Sequence, residues 1–221
     1  MTPRCYRWPY AQTARLAAAL GCLLVLVVST ATGFASEPIT VVAIEEDWEL
    51  VVLSPDPNSA APQVSCTISP LSHVSSLHAA FELNHQSQPE FTAGGLQLQV
   101  WNGEQPLSSH KFPSPGVLAF DNEAVRWTQS LALADGTLTF EITNGSATTW
   151  GNFGGQGYLK ASLTTNLESL NGYDPDISVQ NSGVAYAGNR VTSLVLKRVR
   201  ATLATGEVIE DTTERVVHTR N

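Results

Sequence analysis

The chain has 221 residues, of which 20 are acidic and 12 basic, and its formal net charge is −8. An acidic surface repels phosphate backbones, so nucleic acid is excluded as a natural partner. The length fits one domain with a sizeable hydrophobic core behind an N-terminal segment.

The N-terminal segment has the layout of a secretory signal peptide. Three arginines precede Leu16–Val28, an apolar run too short for a membrane span of ~20 residues. Gly33 and Ala35 are small residues before a cut at Ser36. We therefore predict a signal peptide over residues 1–35 and a secreted or periplasmic protein with no membrane span after cleavage. The alternative is an uncleaved anchor.

Only one cysteine, Cys66, remains after the predicted cut. An exported chain with a single cysteine has no internal disulfide framework, so its stability must come from a packed core or from bound ions. Cys66 lies in the strand-like run V-S-C-T-I, and we predict that it is a buried small hydrophobic residue.

Short apolar stretches separated by Gly, Pro, Asn and Asp fill the rest of the chain, with no helix longer than two turns. This pattern predicts one all-β domain over residues 36–221, an antiparallel β-sandwich of the jelly-roll or concanavalin-like type. The predicted strands are Ile39–Leu53, Val64–Ser69, Leu77–Asn84, Leu96–Asn102, Gly116–Asp121, Val125–Leu133, Leu138–Thr143, Tyr158–Thr164, Gly183–Tyr186, Arg190–Ala201 and Glu207–His218.

Two hairpins are predicted from their turns. Asp135-Gly136 is a two-residue turn suited to twisted strands. It should pair Leu133 with Leu138, Leu131 with Phe140, and Gln129 with Ile142. A second turn near Thr205-Gly206 separates basic from acidic residues, which predicts cross-strand ion pairs between Lys197, Arg198 and Arg200 and Glu207, Glu210, Asp211 and Glu214.

Three acidic residues, Glu45, Asp47 and Glu49, alternate along the first predicted strand. A strand has a side-chain period of two, so all three should share one face. Such a row can be catalytic, can bind a cation, or can be the polar outer face of a strand. In the last case Trp48, Leu50 and Val52 would face the core.

The spacing E-x-D-x-E resembles the strand motif of family 16 glycoside hydrolases, which are concanavalin-like sandwich enzymes. The resemblance implies Glu45 as nucleophile, Glu49 as acid/base and Asp47 as the residue that tunes them, in a retaining mechanism. Glu46 departs from the family, which has an apolar residue between the acids.

A different face is suggested by L-Q-L-Q-V-W, residues 96–101. Alternation places Gln97, Gln99 and Trp101 together, opposite apolar residues that belong to the core. Amides beside an indole are typical of sugar-binding faces, because the indole stacks on a pyranose and the amides bond its hydroxyls. A second group of candidate contacts consists of Trp150, Phe153 and Tyr173.

Besides the acidic row, one loop is a candidate metal site. Asp174 and Asp176, two residues apart in a rigid loop, could contribute to a calcium site, although an ordinary turn explains them as well. The histidines have no zinc-binding spacing. No other cofactor is predicted.

Longer stretches support a wider resemblance. V-A-I-E-E-D-W-E-L-V-V, F-E-L-N-H-Q-S-Q-P-E-F-T-A-G-G-L-Q-L-Q-V-W and N-R-V-T-S-L-V-L are similar to an uncharacterised group of exported proteins from planctomycete-type bacteria, which implies no known activity. The strand count resembles concanavalin A-like and laminin G-like sandwiches. We predict a non-catalytic, lectin-like protein that recognises a glycan or a cell-envelope component. The alternatives are a glycoside hydrolase and a structural or assembly protein of the cell envelope.

Overall fold

The computed structural model describes residues 39–56, 62–83, 95–112, 117–185 and 190–220. Contacts divide the chain into Met1–Glu37 and Pro38–Asn221, and all described residues belong to the second unit. The predicted signal peptide lies outside the described residues.

Strands dominate this second unit. The described residues contain thirteen strands and one short helix. In chain order these elements are β1 (Val41–Val52), β2 (Gln63–Ile68), β3 (Leu77–Leu83), β4 (Leu96–Asn102), β5 (Gln105–Phe112), β6 (Glu123–Ala134), β7 (Thr137–Ala147), β8 (Gly151–Phe153), β9 (Lys160–Thr164), α1 (Pro175–Gln180), β10 (Gly183–Ala185), β11 (Val191–Leu203), β12 (Val208–Asp211) and β13 (Arg215–Thr219).

The strands of the described residues form two sheets. Sheet A has eight strands in the order β12-β11-β1-β6-β7-β8, with β13 also pairing β11 and β9 also pairing β7. Sheet B has five strands in the order β10-β2-β3-β4-β5. All pairings are antiparallel. This confirms the predicted all-β class and gives two antiparallel sheets, as in a β-sandwich.

Both sheets contribute to one core. Trp48 of β1 and Trp127 of β6 stack with ring centroids 6.4 Å apart, and Phe81 of sheet B meets the Trp127 ring edge-on at 5.5 Å. Aromatic side chains bury large apolar areas, so this contact between the sheets is a major source of stability. The predicted core positions Trp48, Leu50 and Val52 are buried, and so is Cys66, as predicted.

The Asp135-Gly136 hairpin is confirmed. Both residues have positive φ, 49° and 70°, as the tightest hairpin turns require. The register joins Leu133 with Leu138, Leu131 with Phe140, and Gln129 with Ile142, as the sequence predicts.

Two of the predicted C-terminal ion pairs are confirmed, whereas Arg200 pairs with Glu45 and Asp211 with Arg215. The predicted continuity of the last strand is wrong. Lys197 pairs with Glu214, and Arg198 lies 3.3 Å from Glu210. The predicted single strand is divided into β12 and β13, however. The side chain of Asp211 accepts a hydrogen bond from the backbone of Thr213 at 2.8 Å and turns the chain between the two strands.

The predicted strand Gly116–Asp121 is also wrong over its described residues, which are irregular. In this segment, side-chain oxygens accept the backbone hydrogen bonds that a neighbouring strand would otherwise accept. The backbone N–H of Ala119 donates to the hydroxyl of Thr149 at 2.8 Å, and that of Phe120 donates to Glu123 at 3.1 Å. Because side chains already accept from these two backbone N–H groups, the groups do not need hydrogen bonds to a neighbouring strand.

Three elements are absent from the sequence prediction. β5 lies at the edge of sheet B and lacks an apolar alternation, and β8 has only three residues. α1 has six residues, and in the described part of the chain no helix has the length and apolar character needed to cross a membrane. A helix start is nevertheless visible in the sequence, because Asp174 is the N-cap and Pro175 opens the first turn.

Candidate functional site

The acidic row of β1 lies on the outer face of sheet A, as the alternation predicts, and every member has a basic partner. Glu45 lies 2.8 Å from Arg200. A carboxylate oxygen of Asp47 lies 2.5 Å from a guanidinium nitrogen of Arg198. A carboxylate oxygen of Glu49 lies at the same distance, 2.5 Å, from a guanidinium nitrogen of Arg126. Asp47 also accepts a hydrogen bond from Thr128 at 2.7 Å. The row is therefore part of a ladder of ion pairs across neighbouring strands, which explains its composition without catalysis.

Glu46, which interrupts the row, points the other way. It is fully buried on the core face of β1. The indole N–H of Trp48 donates to one carboxyl oxygen at 3.0 Å, and the Tyr173 hydroxyl donates to the other at 2.8 Å. The Ser178 hydroxyl faces the same carboxyl but makes no hydrogen bond of good geometry with any described residue.

Burial changes the chemistry of Glu46. Loss of hydration raises the pKa of its carboxyl from 4.5 to about 7, although Ser178, Tyr173 and Trp48 oppose the shift by favouring the charged form, as does the positive charge of Arg215. Glu46 also helps to raise the pKa of the buried Cys66 thiol, for which burial is the larger cause. The sequence analysis missed this group. Its signal was an acid at a core position of an alternating strand.

The hydroxyl of Tyr173, a candidate contact, thus points to the interior. Its hydroxyl is bound to Glu46, and burial raises its pKa well above 10. Phe153 is buried at 4% exposure, and the Trp150 ring meets it edge-on at 5.9 Å. Trp150 and Tyr173 are half-buried and pack against the core. The structure does not bring these three aromatic residues to one exposed surface.

Asp174 and Asp176 have structural partners. The Asp174 side chain caps α1 by accepting from the backbone N–H of Asp176 at 2.9 Å. Asp176 lies 3.6 Å from Arg215 of β13. Over the described ranges no group of three or more His, Cys, Asp or Glu side chains is placed to hold a metal ion.

The outer face of sheet B brings together the first group of predicted contact residues. Gln97, Gln99 and Trp101 alternate with the buried Leu98 and Val100 along β4. Gln97 is only 4% exposed, whereas Gln99 and Trp101 are half-buried.

The neighbouring strand β3 adds polar groups to the same face. His78 pairs with Trp101, Ala80 with Gln99, and Glu82 with Gln97. The His78 Nδ1 lies 2.9 Å from the Ser76 carbonyl, so this nitrogen is the donor and Nε2 is the acceptor in a neutral ring. The indole, the amide and the imidazole are thus side by side on one sheet face.

At one corner of the same face, a cavity of about 440 Å³ lies where β10 pairs with β2. Ser65 of β2 and Glu82 of β3 are direct cross-strand partners in its floor, and Gln63 and Gly183 lie beside them. The cavity is of the size that small-molecule sites have.

Comparison with known proteins gives no further assignment: no family model, no curated protein and no solved structure matches this chain. A function therefore has to be inferred from the chemistry of its own residues.

Proposed function

We propose that this protein is an exported, non-catalytic, lectin-like β-sandwich protein that recognises a glycan or a cell-envelope component through the outer face of sheet B. The observation that supports this proposal most is the half-buried indole of Trp101, which stands beside Gln99 and His78 on that face. The proposal includes the finer fold assignment, a jelly-roll or concanavalin-like sandwich, and export by a signal peptide over residues 1–35.

The proposed binding uses two properties of a sugar ring, its apolar C–H face and its hydroxyl groups. The indole of Trp101 offers a flat apolar surface to the C–H face of a pyranose, and the amide of Gln99 and the imidazole of His78 offer donors and acceptors to its hydroxyls. Neither Gln99 nor Trp101 makes a side-chain hydrogen bond to another described residue, so a ligand would displace only water there. A net charge of −8 favours a neutral glycan over an acidic one.

The ion pairs on the outer face of sheet A also favour the outer face of sheet B as the binding surface. The acids that would act in a hydrolase are each held by an arginine, whereas the side chains of Gln99 and Trp101 make no hydrogen bond or ion pair with another described residue. Calcium has no part in the proposal, because Asp174 and Asp176 are used by the cap of α1 and by Arg215.

A panel of neutral polysaccharides and oligosaccharides, read by calorimetry, tests the proposal. Trp101→Ala should weaken binding at least tenfold, equivalent to ~1.4 kcal/mol, because the stacking surface is lost. Phe120→Ala is the matched control, since Phe120 is an aromatic residue that is 53% exposed and whose backbone N–H bonds to Glu123 of sheet A. It should bind like wild type. Absence of binding across the panel, or equal affinity of the Trp101 variant, would contradict the proposal.

A further inference from the structure

At one side of the two sheets, the residues around α1 cover the buried Glu46 carboxyl. α1 packs against β2 of sheet B and β13 of sheet A. The Tyr173 hydroxyl donates to this carboxyl at 2.8 Å, and Ser178, which is only 1% exposed, faces it as well. We name residues 172–180 the covering segment. While it is seated, this segment helps to separate the Glu46 carboxyl from water.

The covering segment is anchored at both ends by hydrogen bonds to the sheets. Before it, the side chain of Asn171 accepts from the backbone N–H of Val41 at 2.8 Å. After it, the backbone N–H of Thr67 donates to the Ser182 hydroxyl, and the Thr67 hydroxyl donates to the carbonyl of Asn181, both at 2.9 Å. The segment between these anchors can therefore move while its two ends stay in place.

Two polar contacts connect the covering segment itself to the sheets. One is the hydrogen bond from Tyr173 to Glu46, and the other is an ion pair of 3.6 Å between Asp176 and Arg215. The ion pair is partly exposed, so it contributes little to stability. α1 has only six residues, and a helix of that length is not stable alone in water. The segment is therefore kept in place by its packing and by its contact with Glu46.

An ionised Glu46 carboxylate would lack a full counter-charge in this place. In the described part of the chain, the titratable and charged groups that face it are Cys66 of β2, Tyr173, and Arg215 of β13. The Arg215 guanidinium lies 2.6 Å from Asp211 and 3.6 Å from Asp176, so its positive charge is already shared. The cross-strand partners of Glu46 on β6 and β11 are uncharged. Burial accordingly raises the pKa of Glu46 to about 7, which favours the protonated form.

We propose that the covering segment is a proton-controlled gate, which stays seated while Glu46 is protonated and opens to let water reach the carboxylate when Glu46 loses its proton. The protonated carboxyl supplies an O–H donor for the Ser178 hydroxyl, whose oxygen is sealed from water and makes no hydrogen bond of good geometry with any described residue. Opening also withdraws Gln180 from the wall of the cavity beside β2 and β10, so the Glu46 proton controls the shape of that cavity.

Hydrogen exchange of backbone amides, followed by NMR between pH 5 and pH 8, tests the proposal. Because so short a helix unwinds when it leaves the sheets, opening frees the amides of Ile177 and Asn181, which bond within the α1 region. The amides of Thr67 and Leu170, at the two anchors, are the references. Each exchange rate is divided by the rate of an unstructured peptide at the same pH, which gives an opening constant for each amide.

In the wild-type protein, the opening constants of Ile177 and Asn181 should exceed those of the two reference amides. They should rise by roughly 40-fold between pH 5 and pH 7, because Glu46 has an ordinary pKa once the gate is open. Glu46→Gln should keep the local opening and lose its pH dependence. Glu45→Gln, on the outer face of the same strand, is the matched control and should behave like wild type.

Three results would overturn the proposal. Equal opening constants at all four amides would mean that residues 172–180 open only when the whole fold does. A faster opening that does not change with pH, or a pH dependence that persists in Glu46→Gln, would mean that Glu46 does not control the gate. The first two results come from the wild-type protein, so the test does not depend on the folding of a variant.

Discussion

The buried carboxyl of Glu46 should make the stability of the fold depend on pH in an unusual direction. Its pKa is about 7 in the folded state against 4.5 for an ordinary glutamate. The folded chain therefore holds this proton more tightly than the unfolded chain does, so stability falls as pH rises from 4.5 to 7. At about 1.4 kcal/mol per pH unit, the loss amounts to roughly 3 kcal/mol and is complete above pH 7.

Glu46→Gln isolates this effect. The amide has nearly the same shape and carries no charge at any pH. Its single oxygen can accept from the Trp48 indole, and its NH2 group then donates to the Tyr173 hydroxyl, which can accept as well as donate. Urea unfolding of both proteins should give similar stabilities at pH 4.5, whereas at pH 8 the variant should be more stable by up to roughly 3 kcal/mol.

The difference in unfolding free energy between Glu46→Gln and wild type cancels the pH-dependent contributions of the other titratable groups, because both proteins contain them. Asp211 acts in the opposite sense: burial tends to raise its pKa, but hydrogen bonds from Arg215 and Thr213 outweigh this and lower it to about 2. Its stabilisation is lost as pH falls below about 4, outside the Glu46 window. Glu45→Gln, on the solvent side of the same strand, is the control for loss of an acidic side chain. A difference between Glu46→Gln and wild type that does not change with pH would refute the reasoning.

Three further predictions concern packing and charge. Gly154→Ala should destabilise the fold by about 1–3 kcal/mol or more in urea unfolding, because φ is 77° and the added Cβ would lie 2.5 Å from the Ile142 carbonyl oxygen. A loss below 0.5 kcal/mol would contradict this. Arg198→Ala should cost only about 0–1 kcal/mol, and less in molar salt, because its ion pair with Asp47 is partly exposed. Cys66 is buried with a raised pKa, so a thiol reagent should label it only as fast as the chain unfolds.

Patterns of alternation predicted the fold well. The sequence reveals β1, β4 and the Asp135-Gly136 hairpin because each has a buried face and a polar face, and the turn chemistry agrees with the register. β5 could not be found in this way, since an edge strand with polar residues has no periodic signal. The opposite error occurs at residues 117–121, where a strand is predicted but none forms. This stretch donates its backbone hydrogen bonds to side chains instead of a neighbouring strand.

The candidate sites were predictable to a lesser degree. Alternation alone places Gln97, Gln99 and Trp101 on one face, but only the register with β3 brings His78 beside them. Alternation alone places Glu46 on the core face of β1, although charged residues usually lie outside. Its partner Tyr173 is 127 residues away in the sequence, so local patterns do not reveal it. The cavity at Gly183 depends on a pairing between strands more than 100 residues apart, which local patterns do not encode.

Mapping the bound glycan on the folded chain would test the central claim most directly. Amide chemical shifts are recorded by NMR during titration with the tightest neutral oligosaccharide of the panel. We expect the largest changes in β3 and β4, around His78, Gln99 and Trp101. Changes centred on Glu45 and Glu49 of β1, or no saturable change anywhere, would contradict the assignment of the outer face of sheet B as a glycan-recognition surface.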